Sequence, residues 1–229
     1  RAGRAGQGSL HRQVGLGALV TVVMHGVCVG DWGKLATNVV PRLGGRPLLA
    51  LSGQASIAAA YNTILDAVMW RDVDLLILQH DDLEIVDPDC ETKFLAAVEA
   101  GAGVVGVAGG MHRGDIAWWA HEPVGHVRFS DGQMIDWGVR AGPVDLLEGS
   151  LLAFPATTLN KIRFDEAYPG FHGYDADISR QVADLGLPVM VADVDVWHHT
   201  TLGFKTEQSH TDWLAANDIF RGKWVDPGA

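Results

Sequence analysis

Cysteine is almost missing from this chain: Cys28 and Cys90 are the two in 229 residues. A widely separated pair makes neither a disulfide framework nor a cysteine-based zinc cluster, and a reducing, cytoplasmic compartment is expected. Positive charge is also scarce, with 17 Lys and Arg against 28 Asp and Glu and a formal net charge of −11. That balance excludes a broad electrostatic grip on nucleic acid or an anionic membrane, and a phosphate ligand would need a cation to help hold it. Long apolar runs are absent too. The run Val14–Met24 contains Gly15 and Gly17 and stops at His25, well short of the roughly 20 residues that cross a bilayer. Arg1, Arg4 and Arg12 precede it, but no small-residue cleavage pattern follows, so it does not read as a signal peptide. Residues 1–17 hold no acid and are rich in Gly, Arg and Gln; they read as a flexible leader before a single domain at 18–229.

What is present is an apolar fraction of 48%, ample for a core. Short β-branched runs alternate with helical periods, the pattern of an α/β fold with a mixed, mainly parallel, Rossmann-like sheet flanked by helices. Leu19–Met24, Pro47–Leu51, Val73–Leu78 and Val104–Ala108 read as strands, with helices expected over Ala55–Met69 and Asp89–Ala100. At Gly109–Gly142 the rhythm breaks into Gly, His and Trp, predicting an inserted hairpin or mobile loop near a site. Val144–Leu147, Leu151–Phe154, Pro188–Asp193 and Val194–Trp197 then read as extended, and Asp175–Leu185 and Thr211–Phe220 as helices.

Two literal motif matches fail on context. Gly101–Gly106 fits G-x-G-x-x-G but ends a helix and enters a strand, the reverse of a dinucleotide site. His121–His126 has one residue too many for a zincin motif, and Pro123 breaks the helix it requires. No Walker A lysine and no G-x-S-x-G elbow occur.

Chemistry gathers instead at the ends of strands, where open α/β sheets bind ligands. Leu75–Leu78 runs into Gln79-His80-Asp81-Asp82, and Val194–Trp197 into His198-His199. In the helix after Gly173, Asp175 falls on the inward stripe with Ile178 and Val182, which makes it a base or an N-cap. Asp177 falls with Arg180, Gln181 and Asp184 on the polar face. Imidazole with one or two carboxylates is a divalent-metal donor set that leaves positions open for phosphate oxygens.

These residues, in this order, resemble the family 2-like glycosyltransferases of GT-A fold, in the branch with His-Asp at a strand end in place of Asp-x-Asp. Gln79-His80-Asp81-Asp82 resembles the metal turn, Gly53–Asn62 the nucleotide-pocket segment, and Asp145–Gly149 the acceptor-side strand and turn. Phe171–Asp177 is similar to the catalytic-base region, and Val196-Trp197-His198 to the segment carrying the late metal histidine. The resemblance implies Asp175 as catalytic base. It implies nucleotide contacts from His25, Gly53, Asn62, His80 and Asp81, and metal ligands Asp81 and His198 for Mn2+ or Mg2+. Acceptor contacts would come from Trp118, Trp119, Glu148, Gly149 and His172. The implied activity is metal-dependent transfer from a nucleotide-diphosphate sugar to a saccharide or other hydroxyl acceptor, with inversion. A metal-dependent hydrolase and a non-catalytic nucleotide- or carbohydrate-binding relative are the alternatives. Three departures stand out: Gln79 replaces the first Asp and would move metal contacts onto Asp82 or water, Tyr174 replaces a Glu before the base, and no acid ends the second strand to hold a nucleobase. Donor base, acceptor and a homodimer stay open, and a lipid-linked acceptor would require only peripheral membrane contact.

Overall fold

The structure, a computed structural model, describes residues 21–68, 72–201, 203 and 206–227. The leader expected at 1–17 lies outside the described residues. In chain order the elements are β1 Val23–Val29, α1 Trp32–Lys34, β2 Leu48–Ser52, α2 Ile57–Val68, β3 Leu75–His80, β4 Leu83–Ile85, α3 Cys90–Glu99, β5 Val104–Gly106, β6 Ala108–Gly110 and β7 Pro123–Phe129. They continue with β8 Met134–Asp136, β9 Gly142–Pro143, β10 Leu146–Leu147, β11 Leu151–Pro155, α4 Ala156–Leu159, α5 Tyr174–Asp184, β12 Val189–Val191, β13 Val196–His198 and α6 Glu207–Trp224.

Seven strands form the larger sheet in the order β2-β1-β3-β11-β5-β12-β9. Pairing is parallel for β1 with β2 and β3, and for β12 with β5, while β11 runs antiparallel between β3 and β5. The fold is thus the mixed α/β sheet flanked by helices that the alternation implied. Its centre is apolar on both faces: Leu75, Leu76, Ile77 and Leu78 are all fully buried, as a strand covered on both sides requires. The apolar stripe of α2, with Tyr61, Ile64 and Leu65 wholly buried, packs into the same core as Leu76 and Leu78. A fully buried side chain of this size contributes about 1.5–3 kcal/mol relative to exposure.

A smaller sheet, β10-β6-β7-β13-β4 with β8 paired to β7, lies beside it. The irregular stretch after Gly109 supplies its middle: β7 and β8 are an antiparallel hairpin, and Trp118–Ala120 is a single 3-10 turn rather than a strand. The run expected as one strand over Val104–Ala108 is divided, with β5 in the larger sheet and β6 in the smaller. The chain passes between the sheets at Asp81–Asp82, between β3 and β4, and at Glu148–Ser150, between β10 and β11, and the polar residues collect at these passages.

Other boundaries moved for local reasons. The first strand begins at Val23 and runs on through His25 to Val29, because His25 is buried and bonded to Gln79 rather than ending the run in solvent. Gln79 and His80 lie inside β3, paired with Val27 and Cys28 of β1. The last helix extends from Glu207, capped by the Thr206 side chain, to Trp224, several residues beyond Thr211–Phe220 at each end. Gly101, at φ 101°, follows α3 and turns the chain toward β5, so Gly101–Gly106 is the helix stop its context indicated. Both cysteines are free thiols.

Candidate active site

A cavity of about 1050 Å3 opens at the carboxyl ends of β1 and β3, between them and the smaller sheet, with α5 and α6 closing its far side. It is large enough for two small molecules side by side. Its lining brings together His80, Asp81, Trp118, Trp119, Glu148, His172, Asp175 and His198 of the residues singled out from the sequence. Gly149 lies directly behind the wall, against Asp175. His25, Gly53 and Asn62 are not among the lining residues. His25 is a buried core residue hydrogen-bonded through Nδ1 to Gln79 Oε1 at 3.0 Å, its pKa lowered by burial. Gly53 takes φ 69° in the turn after β2. Asn62 ties α2 to the loop before α5, donating to the Phe164 carbonyl and accepting from its N–H, both at 2.9 Å.

The strand end of β3 distributes its side chains by alternation. Gln79 turns into the core toward His25 and is no substitute ligand; His80 turns into the cavity. Asp81 is consumed by structure: one carboxylate oxygen accepts the backbone N–H groups of Gly30 and Asp31, each at 2.7 Å, and so pins the end of β3 to the start of α1. Asp81 therefore does not face His198, and the metal pair expected from sequence is corrected to a different acid. Asp82, the next residue, stands 3.2 Å from His198 Nε2 and 3.2 Å from Lys34 Nζ. His80, Asp82 and His198 each present a ligand atom within 4.8 Å of the others.

Two hydrogen bonds fix the state of His80. The Tyr174 hydroxyl donates its single proton to the Gly149 carbonyl at 2.8 Å, so the 2.9 Å contact between Tyr174 and His80 Nε2 must be donated by the imidazole. His80 is thus the Nε2–H tautomer, with Nδ1 left as a lone pair. Burial and the neighbouring His198 charge lower its pKa to about 4, so it is neutral at physiological pH. For Asp82, burial raises the pKa, but the His198 hydrogen bond, the charges of His198 and His80 and the Lys34 contact outweigh it and hold the carboxyl far below the usual range. A neutral imidazole, a permanently ionised carboxylate and a second imidazole fit a divalent cation.

Asp175 stands in the first turn of α5, and the N-cap position belongs to Gly173 at φ 78°, where a Cβ would strike the Tyr168 ring at 2.5 Å. Its Oδ1 accepts the Ala176 N–H at 2.9 Å. Burial raises its pKa to about 7, the nearby Glu148 charge adds to the rise, and N–H groups of Ala176, Asp175 itself and Gly149 oppose it. Only glycine fits at 149: a Cβ there would overlap the Tyr174 hydroxyl and come within 2.9 Å of Asp175 Cβ. That close approach seats the base against the β10–β11 passage.

Asp177, expected on the polar face of the same helix, is fully buried instead. α6 covers it: Lys223 Nζ lies 2.8 Å and Trp224 Nε1 2.7 Å from its Oδ1, and Gln181 donates to Oδ2 at 2.7 Å. The opposite wall of the cavity is aromatic. Trp118 is 8% exposed and Trp119 47%, their rings edge-to-face at 5.8 Å, with Trp137 at 5.4 Å from Trp118 and Trp213 at 6.2 Å from Trp119. Sequence reading missed Asp82 as the central acid, Tyr174 as the partner of His80, and Lys34 beside Asp82. The Gly30–Lys34 segment after β1 was the signal available for Lys34; nothing local marked the other two.

A mixed α/β sheet with an acid and imidazole cluster at its strand ends, facing a buried carboxyl, defines a GT-A type fold. The chain belongs to the glycosyltransferase-like family, whose model matches residues 46–220. It is 29% identical over 187 residues to the streptomycin biosynthesis protein StrF of Streptomyces griseus, covering 78% of this chain and 66% of that protein. Among solved structures it is similar to GalNAc-T7 with UDP, GalNAc and Mn2+, at a TM-score of 0.60 and 9% identity over 90% of this chain and 48% of that one. It is also similar to A197 from STIV, at a TM-score of 0.53 and 15% identity over 78% of this chain and 86% of that one. No helix among the described residues is long and apolar enough to cross a membrane.

Proposed function

We propose that the protein transfers a sugar from a nucleotide-diphosphate sugar to a hydroxyl acceptor with inversion at the anomeric carbon. One observation carries this reading: a carboxyl with a pKa near 7, Asp175, lines the same cavity as the His80, Asp82 and His198 cluster. The acceptor hydroxyl gives its proton to the Asp175 carboxylate as its oxygen bonds to the anomeric carbon. The bond from that carbon to the diphosphate breaks on the opposite face, and the electron pair leaves with the nucleoside diphosphate.

His80, Asp82 and His198 would hold the divalent cation, with two imidazoles favouring Mn2+ over Mg2+. Bound there, the cation would offset the negative charge that grows on the departing diphosphate. The Mn2+ and UDP of the GalNAc-T7 structure, on the same fold, support this reading. Lys34, the one Lys or Arg among the described lining residues, adds positive charge beside Asp82. The four tryptophans and Phe171 offer flat apolar faces to the C–H face of an acceptor ring, with Glu148 and His172 as polar anchors.

Calorimetric titration with UDP, GDP and CDP, each with and without Mn2+, tests the donor half on wild type and Asp82→Ala. Binding that needs both Mn2+ and Asp82 is the expected result and names the base. Absence of binding to all three overturns the nucleotide-sugar reading.

A further inference from the structure

A second group of metal-type donors lies outside the cluster just described. His112, Asp115 and His121 sit in the loop between β6 and β7, and each offers a ligand atom within 4.8 Å of the others. From this geometry we propose a second cation site, for a borderline transition ion of the Zn2+ type, that ties down the loop forming the aromatic wall of the cavity.

Three observations carry it. First, His112 Nε2 is buried and has no hydrogen-bond partner among the described residues, although a buried ring nitrogen ordinarily has one. Second, that nitrogen stands 3.3 Å from Asp115 Oδ1, and two ligands of one tetrahedral zinc ion lie about 3.3 Å apart when each bond is about 2.0–2.1 Å. Asp115 is held in place, its Oδ1 also accepting the Ala117 N–H at 2.8 Å. Third, the His121 ring stacks on His112 with centroids 3.8 Å apart and planes within 19°, which brings the third ligand to the site. His121 is exposed, so its ring can swing from the stack into an in-plane bond.

Two imidazoles and one carboxylate make a donor set that suits Zn2+ and disfavours Mg2+ and Ca2+. Three protein ligands leave a fourth position for water. The backbone already brings the loop ends together, with the Met111 N–H donating to the His121 carbonyl at 3.1 Å. Between those ends lie Ile116, Trp118 and Trp119, all lining the cavity. An ion bridging His112, Asp115 and His121 would cross-link the loop that presents them. The role is therefore structural, and it stands whether or not the transferase reading does.

The test uses the metal alone. Zn2+ is titrated against a chromophoric chelator with wild type, His198→Ala, His121→Ala and the double variant, folding being checked by circular dichroism. His198→Ala removes the first cluster, so the Zn2+ it still binds reports the second. The expected result is one Zn2+ per chain retained in His198→Ala and lost, at least 30-fold in affinity, in the double variant. Asp115→Asn in the His198→Ala background should weaken it at least tenfold. Zn2+ should also slow tryptic cleavage after the exposed Arg113 in His198→Ala but not in the double variant. Equal Zn2+ binding by His198→Ala and the double variant, or no Zn2+ bound by His198→Ala, overturns the proposal. Loss of nucleotide binding in the calorimetric experiment above would overturn the transferase reading and leave this one intact.

Discussion

Helix α5 carries two aspartates two residues apart, and its two sides treat them in opposite ways. Asp175 faces the cavity, is flanked by the like charge of Glu148, and has its pKa raised to about 7. Asp177 is more deeply buried, at 0% exposure, yet lies against Lys223, Trp224 and Gln181. Burial alone therefore does not make a proton acceptor. A buried carboxyl with a cation and a full set of donors fastens one helix to another; one without a cation, facing open space, is available for chemistry.

The sharpest way to break this contrast is Asp175→Asn, expected to lower transfer by about a thousandfold or more while the fold survives. The same substitution should stabilise the protein. Between the unperturbed value of 3.8 and the folded value near 7, the folded state keeps a proton that the unfolded state has released, so wild-type stability falls as pH rises through that window. At pH 8 Asp175→Asn should be more stable by about 2 kcal/mol, and at pH 4 the gain should vanish, as measured by urea unfolding at both values. On the other side of α5, Lys223→Met leaves Asp177 without its cation. It should cost about 3 kcal/mol of unfolding free energy and leave kcat unchanged wherever the protein is folded.

Tyr174→Phe addresses the link between the base region and the metal cluster. It removes the hydroxyl that orients His80 and should weaken Mn2+ binding roughly tenfold with little loss of stability, read by calorimetry. Trp119→Ala, on the aromatic wall, should raise the acceptor KM about fivefold, close to 1 kcal/mol, and leave the nucleotide affinity unchanged.

The same two residues show what a sequence carries. The spacing of Asp175, Ile178 and Val182 points Asp175 inward, because a helix repeats locally and its apolar stripe is visible within three turns. That spacing also assigns Asp177 to the polar face, which is wrong because the covering side chains come from α6, some 45 residues later, and no local period reports them. The strand end behaves alike. Acids after Leu78 are legible, whereas the division of labour between Asp81, spent on the Gly30 and Asp31 amides, and Asp82, facing His198, is set by how the chain turns between two sheets. Strand order was legible only in part, since β11 enters the sheet antiparallel through a connection of two-residue strands with too little pattern to read.

The most direct measurement is the pH dependence of nucleoside diphosphate release from the nucleotide sugar that calorimetry selects, with and without acceptor, for wild type and Asp175→Asn from pH 5 to 9. The account predicts acceptor-dependent release that rises through a pKa near 7 in wild type and is lost in Asp175→Asn. Release in Asp175→Asn near the wild-type rate, or a wild-type profile flat across pH 7, would contradict it.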